Sequence, residues 1–156
     1  MKTLVSFFSA QSRKTADLAT ALAFILGADR YEFKPDPPYT PADLDYNDPD
    51  ARVNREAAAQ ALIPIQGRVE SFEDYDRVML GFPIWWGAIP LAVKSFCKGY
   101  DWTGKRVYVF VSGWDDVARF AEFLQPYMEG AEIVDVKLFK GPNTPEFQRW
   151  ADALRA

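Results

Sequence analysis

Two adjacent tryptophans, Trp85 and Trp86, follow a nearly continuous apolar run and are flanked by Pro83, Ile84 and Gly87. A turn that short cannot bury both indoles on the same side. One of them is expected to project toward a cleft, where its flat face would stack on a planar ligand. The competing reading makes both of them core tryptophans beneath a loop. A second group lies near the N-terminus, where Ser9, Ser12 and Thr15 bring three hydroxyls and Arg13 and Lys14 bring two cations to the start of a helical pattern. A helix N-terminus presents free N–H groups and a partial positive charge, so a phosphate is a natural occupant. The same residue types also serve as ordinary helix caps. A third segment, Ser112-Gly113-Trp114-Asp115-Asp116, follows another apolar run and adds a further aromatic.

What the chain lacks is equally informative. It contains no histidine and one cysteine, Cys97. That removes Ser-His-Asp and Cys-His catalysis and leaves zinc and iron–sulfur sites without ligands. No catalytic side chain and no metal site are therefore expected, and redox chemistry would have to come from a bound organic cofactor. A lone cysteine also rules out an internal disulfide and is compatible with a reducing cytoplasm, the expected location. Eighteen basic against twenty-two acidic residues give a net charge of −4, which disfavours a nucleic-acid footprint. No apolar run approaches the roughly 20 residues that a bilayer span requires. The apolar stretch near residues 3–10 turns polar and basic at once, so a buried strand is expected there rather than a signal peptide.

These groups must be carried by elements that bring them together. Strand-like and helix-like segments alternate: strands are expected at residues 2–8, 30–34, 77–82, 106–111 and 132–139. Helices are expected from Thr15 to a stop at Gly27, then at 88–100, 115–128 and 144–154, the last capped by Thr144 with Pro145 in the first turn. Cys97 falls within the second of these patterns as a packing residue. Such alternation implies a three-layer α/β domain over residues 1–156, a doubly wound five-stranded parallel sheet in the order 2-1-3-4-5. Residues 35–75 break the rhythm. They are rich in Pro, Asp and Asn and hold one expected helix near 49–62, an ornamented crossover rather than a second domain. Ligands of open α/β sheets bind beyond the carboxyl ends of the strands, which is where all three loops would lie.

At this level of detail the chain resembles the flavodoxin-like proteins, and among them a small bacterial group with a Pro-Ile-Trp-Trp loop. The resemblance rests on LVSFFSA (4–10), LGADRYEFKPDPPYTP (26–41), LDYNDPDARVNRE (44–56), YDRVMLGFPIWWGAIP (75–90) and YDWTGK (100–105). It implies an FMN-binding domain. Carried onto this chain, the first loop (Ser9, Gln11, Ser12, Arg13, Lys14, Thr15) would cradle the phosphate. Pro83, Ile84, Trp85, Trp86 and Gly87 would line the flavin, and Ser112, Gly113 and Trp114 would approach its other edge. The implied activity is electron transfer with a redox partner protein, or a small FMN-dependent reductase taking electrons from NAD(P)H to a quinone-type acceptor. In the latter case Tyr39 and Tyr46 of the crossover would form one wall of the pocket.

Two departures from the family pattern carry an alternative. The family's first loop has a glycine where this chain runs Gln11-Ser12-Arg13-Lys14, and left-handed backbone there costs a non-glycine residue about 1 kcal/mol or more. After the fourth strand, Trp114-Asp115-Asp116 replaces a glycine- and serine-rich stretch. The alternative is a flavodoxin-fold domain that has lost FMN and serves as a non-enzymatic anion-binding or protein-interaction module.

Overall fold

Apolar residues on both faces of the three central strands dictate the layering. The computed structural model describes residues 1–114 and 116–155. Its strands are β1 (Thr3–Phe7), β2 (Asp29–Glu32), β3 (Arg77–Pro83), β4 (Arg106–Ser112) and β5 (Glu132–Phe139), all paired in parallel in the order β2-β1-β3-β4-β5. The helices are α1 (Lys14–Leu26), α2 (Arg52–Ala59), α3 (Leu91–Lys98), α4 (Phe120–Leu124) and α5 (Pro145–Ala153). Val5, Phe7, Met79 and Phe110 point into one apolar layer with Leu18, Leu22 and Phe147 of α1 and α5. Leu4, Val78, Leu80, Phe82 and Val109 point the other way, toward Val93 and Phe96 of α3 and Phe120 of α4. Helices thus cover both faces of the sheet, as the near-continuous apolar runs of β3 and β4 require.

Local chemistry sets most of the boundaries. Gly27 stops α1 in a left-handed conformation (φ 60), its N–H and the next one returning to carbonyls of the last turn. Thr144 caps α5, its Oγ1 accepting from Phe147 N at 3.3 Å. Cys97 is fully buried, its carbonyl accepting from the Trp102 indole at 2.7 Å, and burial pushes its thiol pKa well up. It is a packing residue.

Three expectations require correction. The helix expected at 115–128 is shorter: α4 spans Phe120–Leu124 and tightens into a 3₁₀ turn at Gln125–Tyr127, where Pro126 has no N–H to extend it. Ahead of it, Asp116 Oδ1 accepts from Ala118 N at 2.9 Å, a side-chain turn that competes with helix, while Asp115 lies outside the described residues. The crossover helix begins at Arg52, not at 49, because Asp48 closes turns onto Asp50 and Ala51 first. α3 begins at Leu91, because Ala88 is spent on a bridge to Trp85.

The crossover itself is pinned at its base. Its outgoing and returning arms pair through Asp36 N to Pro64 O and Gln66 N to Lys34 O, each at 2.9 Å. Within it, Arg52 reaches Glu56 at 3.0 Å and the Pro37 carbonyl at 2.6 Å while its guanidinium lies over the Tyr39 ring, 4.6 Å from the centroid. The Tyr39 hydroxyl donates to Glu56. Burial first, and that bond second, raise the Tyr39 pKa far above a free tyrosine. This network fastens α2 over the sheet edge where the loops emerge.

Candidate functional site

The loop after β3 explains how tandem tryptophans can coexist. Trp85 and Ala88 exchange both backbone hydrogen bonds, N to O at 3.0 and 2.8 Å, so Trp86 and Gly87 are the two central residues of a tight hairpin turn. Both have positive φ, 51 and 69, the mirror-image turn that normally takes Asn-Gly. Consecutive residues at such a turn point apart. Trp85 packs edge-on against Phe8 at 5.4 Å and leans on Tyr39 at 5.8 Å, whereas Trp86 is 59% exposed. Trp86 thus projects outward, while Trp85 is half-buried against the core, so neither is a core tryptophan.

A cavity of about 460 Å³ opens beside this hairpin. Its floor is Ile84, Trp85 and Trp86; Ala10, Gln11 and Ser12 of the first loop close one side, and Leu44, Tyr46 and Val53 of the crossover close the other. Its volume falls within the usual range for small-molecule sites. A smaller cavity of about 220 Å³ lies across the first loop, between Ser9, Arg13 and Glu32 on one side and Lys34, Tyr39 and Thr40 on the other.

The first loop is a turn of residues 10–13, closed by Arg13 N to Ala10 O at 3.1 Å, from which α1 departs. Arg13 takes the left-handed conformation (φ 57) in the absence of any glycine. Ser9 Oγ accepts from Ala16 N at 3.2 Å, capping the helix from outside its first turn. The remaining first-turn N–H groups face the loop without intrahelical acceptors.

The structure sorts the other sequence-derived residues differently from the simple picture of three convergent loops. Arg13 turns away from the cavity and holds Glu32 at the end of β2 through two bonds, 2.7 and 2.9 Å. The Arg13 hydrogen bond holds the Glu32 carboxyl below its ordinary pKa and raises that of Arg13 in turn. Lys14 lies over the exposed Trp114 ring, its Nζ 5.6 Å from the centroid. Thr15 is the clearest departure. It is buried, with Oγ1 2.8 Å from the buried Ser112 Oγ, so this pair ties α1 to the end of β4 and neither hydroxyl reaches the cavity. Gly113 sits against the Ile84 side chain with φ 147, where an added Cβ would come within 3.2 Å of Ile84. Pro83 ends β3. Gly87 shapes the hairpin rather than the cavity wall.

The Thr15–Ser112 pair carries a test. Thr15→Val should cost about 1–2 kcal/mol by leaving the Ser112 hydroxyl buried without its partner, and Thr15→Val with Ser112→Ala should recover much of it. Denaturant unfolding of Thr15→Val, Ser112→Ala and the double variant checks this; a double variant less stable than the sum of the singles would refute it.

Three contributors escaped the sequence reading: Leu44, Val53 and Glu32. Val53 is the one buried residue of a strongly amphipathic α2, a signal visible in retrospect. Glu32 carries no such mark. Among the described residues no group of acidic, histidine or cysteine side chains could hold a metal ion, and no helix is long and apolar enough to cross a membrane.

A sheet of this order, with its cleft at the β1 and β3 ends, is the flavodoxin-like α/β architecture. The chain belongs to the Flavodoxin family, whose sequence profile matches residues 2–154. It is similar to a provisionally named flavoprotein of Bacteroides eggerthii DSM 20697, with 30% identity, 99% of this chain and 98% of that one covered, and a TM-score of 0.84. It is also similar to a provisionally named flavoprotein of Bacteroides uniformis ATCC 8492, with 28% identity, 96% of each chain covered and a TM-score of 0.83. A flavoprotein of Lactobacillus acidophilus NCFM, solved in complex with FMN, shares the fold at 18% identity, with 96% and 98% covered and a TM-score of 0.68. No curated protein matches the chain.

Proposed function

We propose that this chain binds FMN in the 460 Å³ cavity and acts in electron transfer. The observation that carries the reading is the polarity of that cavity. One end is the first-loop turn bearing the Gln11 amide and the Ser12 hydroxyl, beside helix N–H groups that have no intrahelical acceptor, which suits a phosphate. The other end is a half-exposed indole standing beside apolar walls, which suits a flat ring. A ligand anionic at one end and planar at the other matches both, and the complex with FMN formed by the Lactobacillus acidophilus flavoprotein supports the assignment.

Bound FMN would supply the electron-carrying chemistry, for which no side chain of this protein is suited. The protein's part is to hold and orient it. Ser12, Gln11 and the α1 amides would take the phosphate, Ile84, Trp85 and Trp86 the ring, with Ser112 and Gly113 fixing the neighbouring wall rather than meeting the ring edge. Thr15, Arg13 and Lys14 would act at one remove, through Ser112, Glu32 and Trp114. The crossover wall of Leu44, Tyr46 and Val53 leaves an apolar surface beside the ring position, which would suit a small quinone-type acceptor as well as a redox partner protein.

The first test is direct. Protein purified from cells should be yellow, or become so on titration with FMN, with quenching of flavin fluorescence. Colourless protein that does not bind added FMN sinks the proposal and favours the non-enzymatic module. Stopped-flow oxidation of NAD(P)H by the FMN-loaded protein, with and without a quinone, then separates reductase from carrier.

A further inference from the structure

Arg13 occupies a position where its backbone and its side chain pull on different demands. Its φ of 57 is left-handed, a conformation that glycine adopts freely and other L residues adopt at a cost. No glycine lies between Ser9 and Thr15, yet the chain passes from the turn of residues 10–13 into α1 through that conformation: Arg13 N closes the turn onto Ala10 O, and Arg13 O receives the first helical bond from Asp17 N. The Arg13 side chain is one of the loop's two cations, with Lys14, and a phosphate there would attract it. Instead both of its outer nitrogens reach the two oxygens of Glu32, 2.7 and 2.9 Å away. Glu32 is the last residue of β2, paired in register with Phe7 at the end of β1, the strand that feeds the loop. The Glu32 side chain is only 16% exposed, so the fork grips a nearly fixed point of the sheet.

A planar guanidinium on both oxygens of one carboxylate restrains orientation as well as distance. We propose that Arg13 is a positioning residue whose fork on Glu32 anchors the left-handed link from the turn of residues 10–13 into α1, keeping the first-loop amides and the Ser12 hydroxyl gathered for an anionic group. The pair does by tethering what a glycine would do by freedom. Its charges cancel locally, so the loop recognises its anion through N–H and hydroxyl donors rather than through the Arg13 cation. The identity of that anion as the FMN phosphate rests on the function proposed above; the anchoring is a property of the protein alone.

Three variants decide it: Arg13→Ala, Arg13→Gly and Glu32→Gln. Amide hydrogen exchange over residues 10–16 is measured on the flavin-free protein, and FMN and riboflavin affinities are measured by fluorescence titration. Anchoring predicts that exchange accelerates about tenfold in Arg13→Ala and by a smaller factor in Glu32→Gln, while Arg13→Gly stays within about twofold of the wild type. The preference for FMN over riboflavin should fall in the same order and survive in Arg13→Gly. A direct cation–phosphate contact predicts the opposite pattern. Arg13→Gly would then lose the preference as fully as Arg13→Ala, and Glu32→Gln, by freeing the cation, would raise it. Either of those results overturns the proposal, as does unchanged loop exchange in Arg13→Ala. If the wild type binds neither flavin, the FMN reading fails while the exchange data still decide the anchor.

Discussion

Replacing Gly81 by alanine is expected to destabilise the fold by about 3 kcal/mol, the upper part of the range for overpacked cores. Gly81 lies in β3 with Phe7 on one flank and Phe110 on the other, both fully buried. A Cβ built there would stand 2.2 Å from two carbons of the Phe110 ring and 2.9 Å from a third. Those are not distances that a few tenths of an ångström can mend. The ring would have to rotate into Met79, Phe7 or the α5 layer, or β3 would have to part from β4. The second route reaches the site, since the Gly81 carbonyl accepts from Phe8 N at 2.9 Å at the mouth of the first loop and β3 runs straight into the tryptophan hairpin. The denaturant midpoint should therefore fall with little change in slope. In a Phe110→Leu background, where the ring is gone, the same substitution should cost less than half as much. A loss below about 1 kcal/mol in the wild-type background would show that the ring has room to move.

That glycine marks the limit of what can be read from a linear pattern. Strand count, order and the two-sided burial of β3 and β4 were legible, because alternation and apolar runs are local and nothing overrides them. So were Gly27 and Thr144, whose chemistry acts within four residues. The first loop was only half legible. Its hydroxyls and cations were visible, but Thr15 is claimed by Ser112, 97 residues away, and Arg13 by Glu32, 19 residues away. A long or buried polar side chain takes whichever partner the fold sets beside it, and sequence spacing carries no trace of that choice. Asp116 shows the same limit in miniature: a carboxylate ahead of a helical pattern can cap the helix or close its own turn, and here its bond to Ala118 precedes a helix that begins later than its pattern does.

The tryptophan pair stood out in the sequence but the strain of its turn did not, and that strain gives the second large prediction. Trp86 is a bulky residue at φ 51 in a turn position suited to asparagine. With 59% of it exposed and its ring 6.3 Å from that of Trp85, the indole returns little packing energy for that conformation. Trp86→Asn creates an Asn-Gly pair, the sequence this turn prefers. The flavin-free protein should then gain about 0.5–1 kcal/mol, from relief of the left-handed strain. FMN affinity should move the other way, by about 2 kcal/mol or roughly thirtyfold, because the exposed face of the ring would lose its aromatic cover. Trp85→Ala separates packing from contact: it removes the edge-on contact with Phe8 and the tilted one with Tyr39, so stability and affinity should fall together. Thermal unfolding of the flavin-free proteins and FMN titration of each give the two numbers. A less stable Trp86→Asn would mean that the indole packs better than its exposure implies. An unaltered FMN affinity would remove Trp86 from the binding surface. Opposite signs in the one variant would show that the strain is retained because it holds an aromatic face toward the ligand.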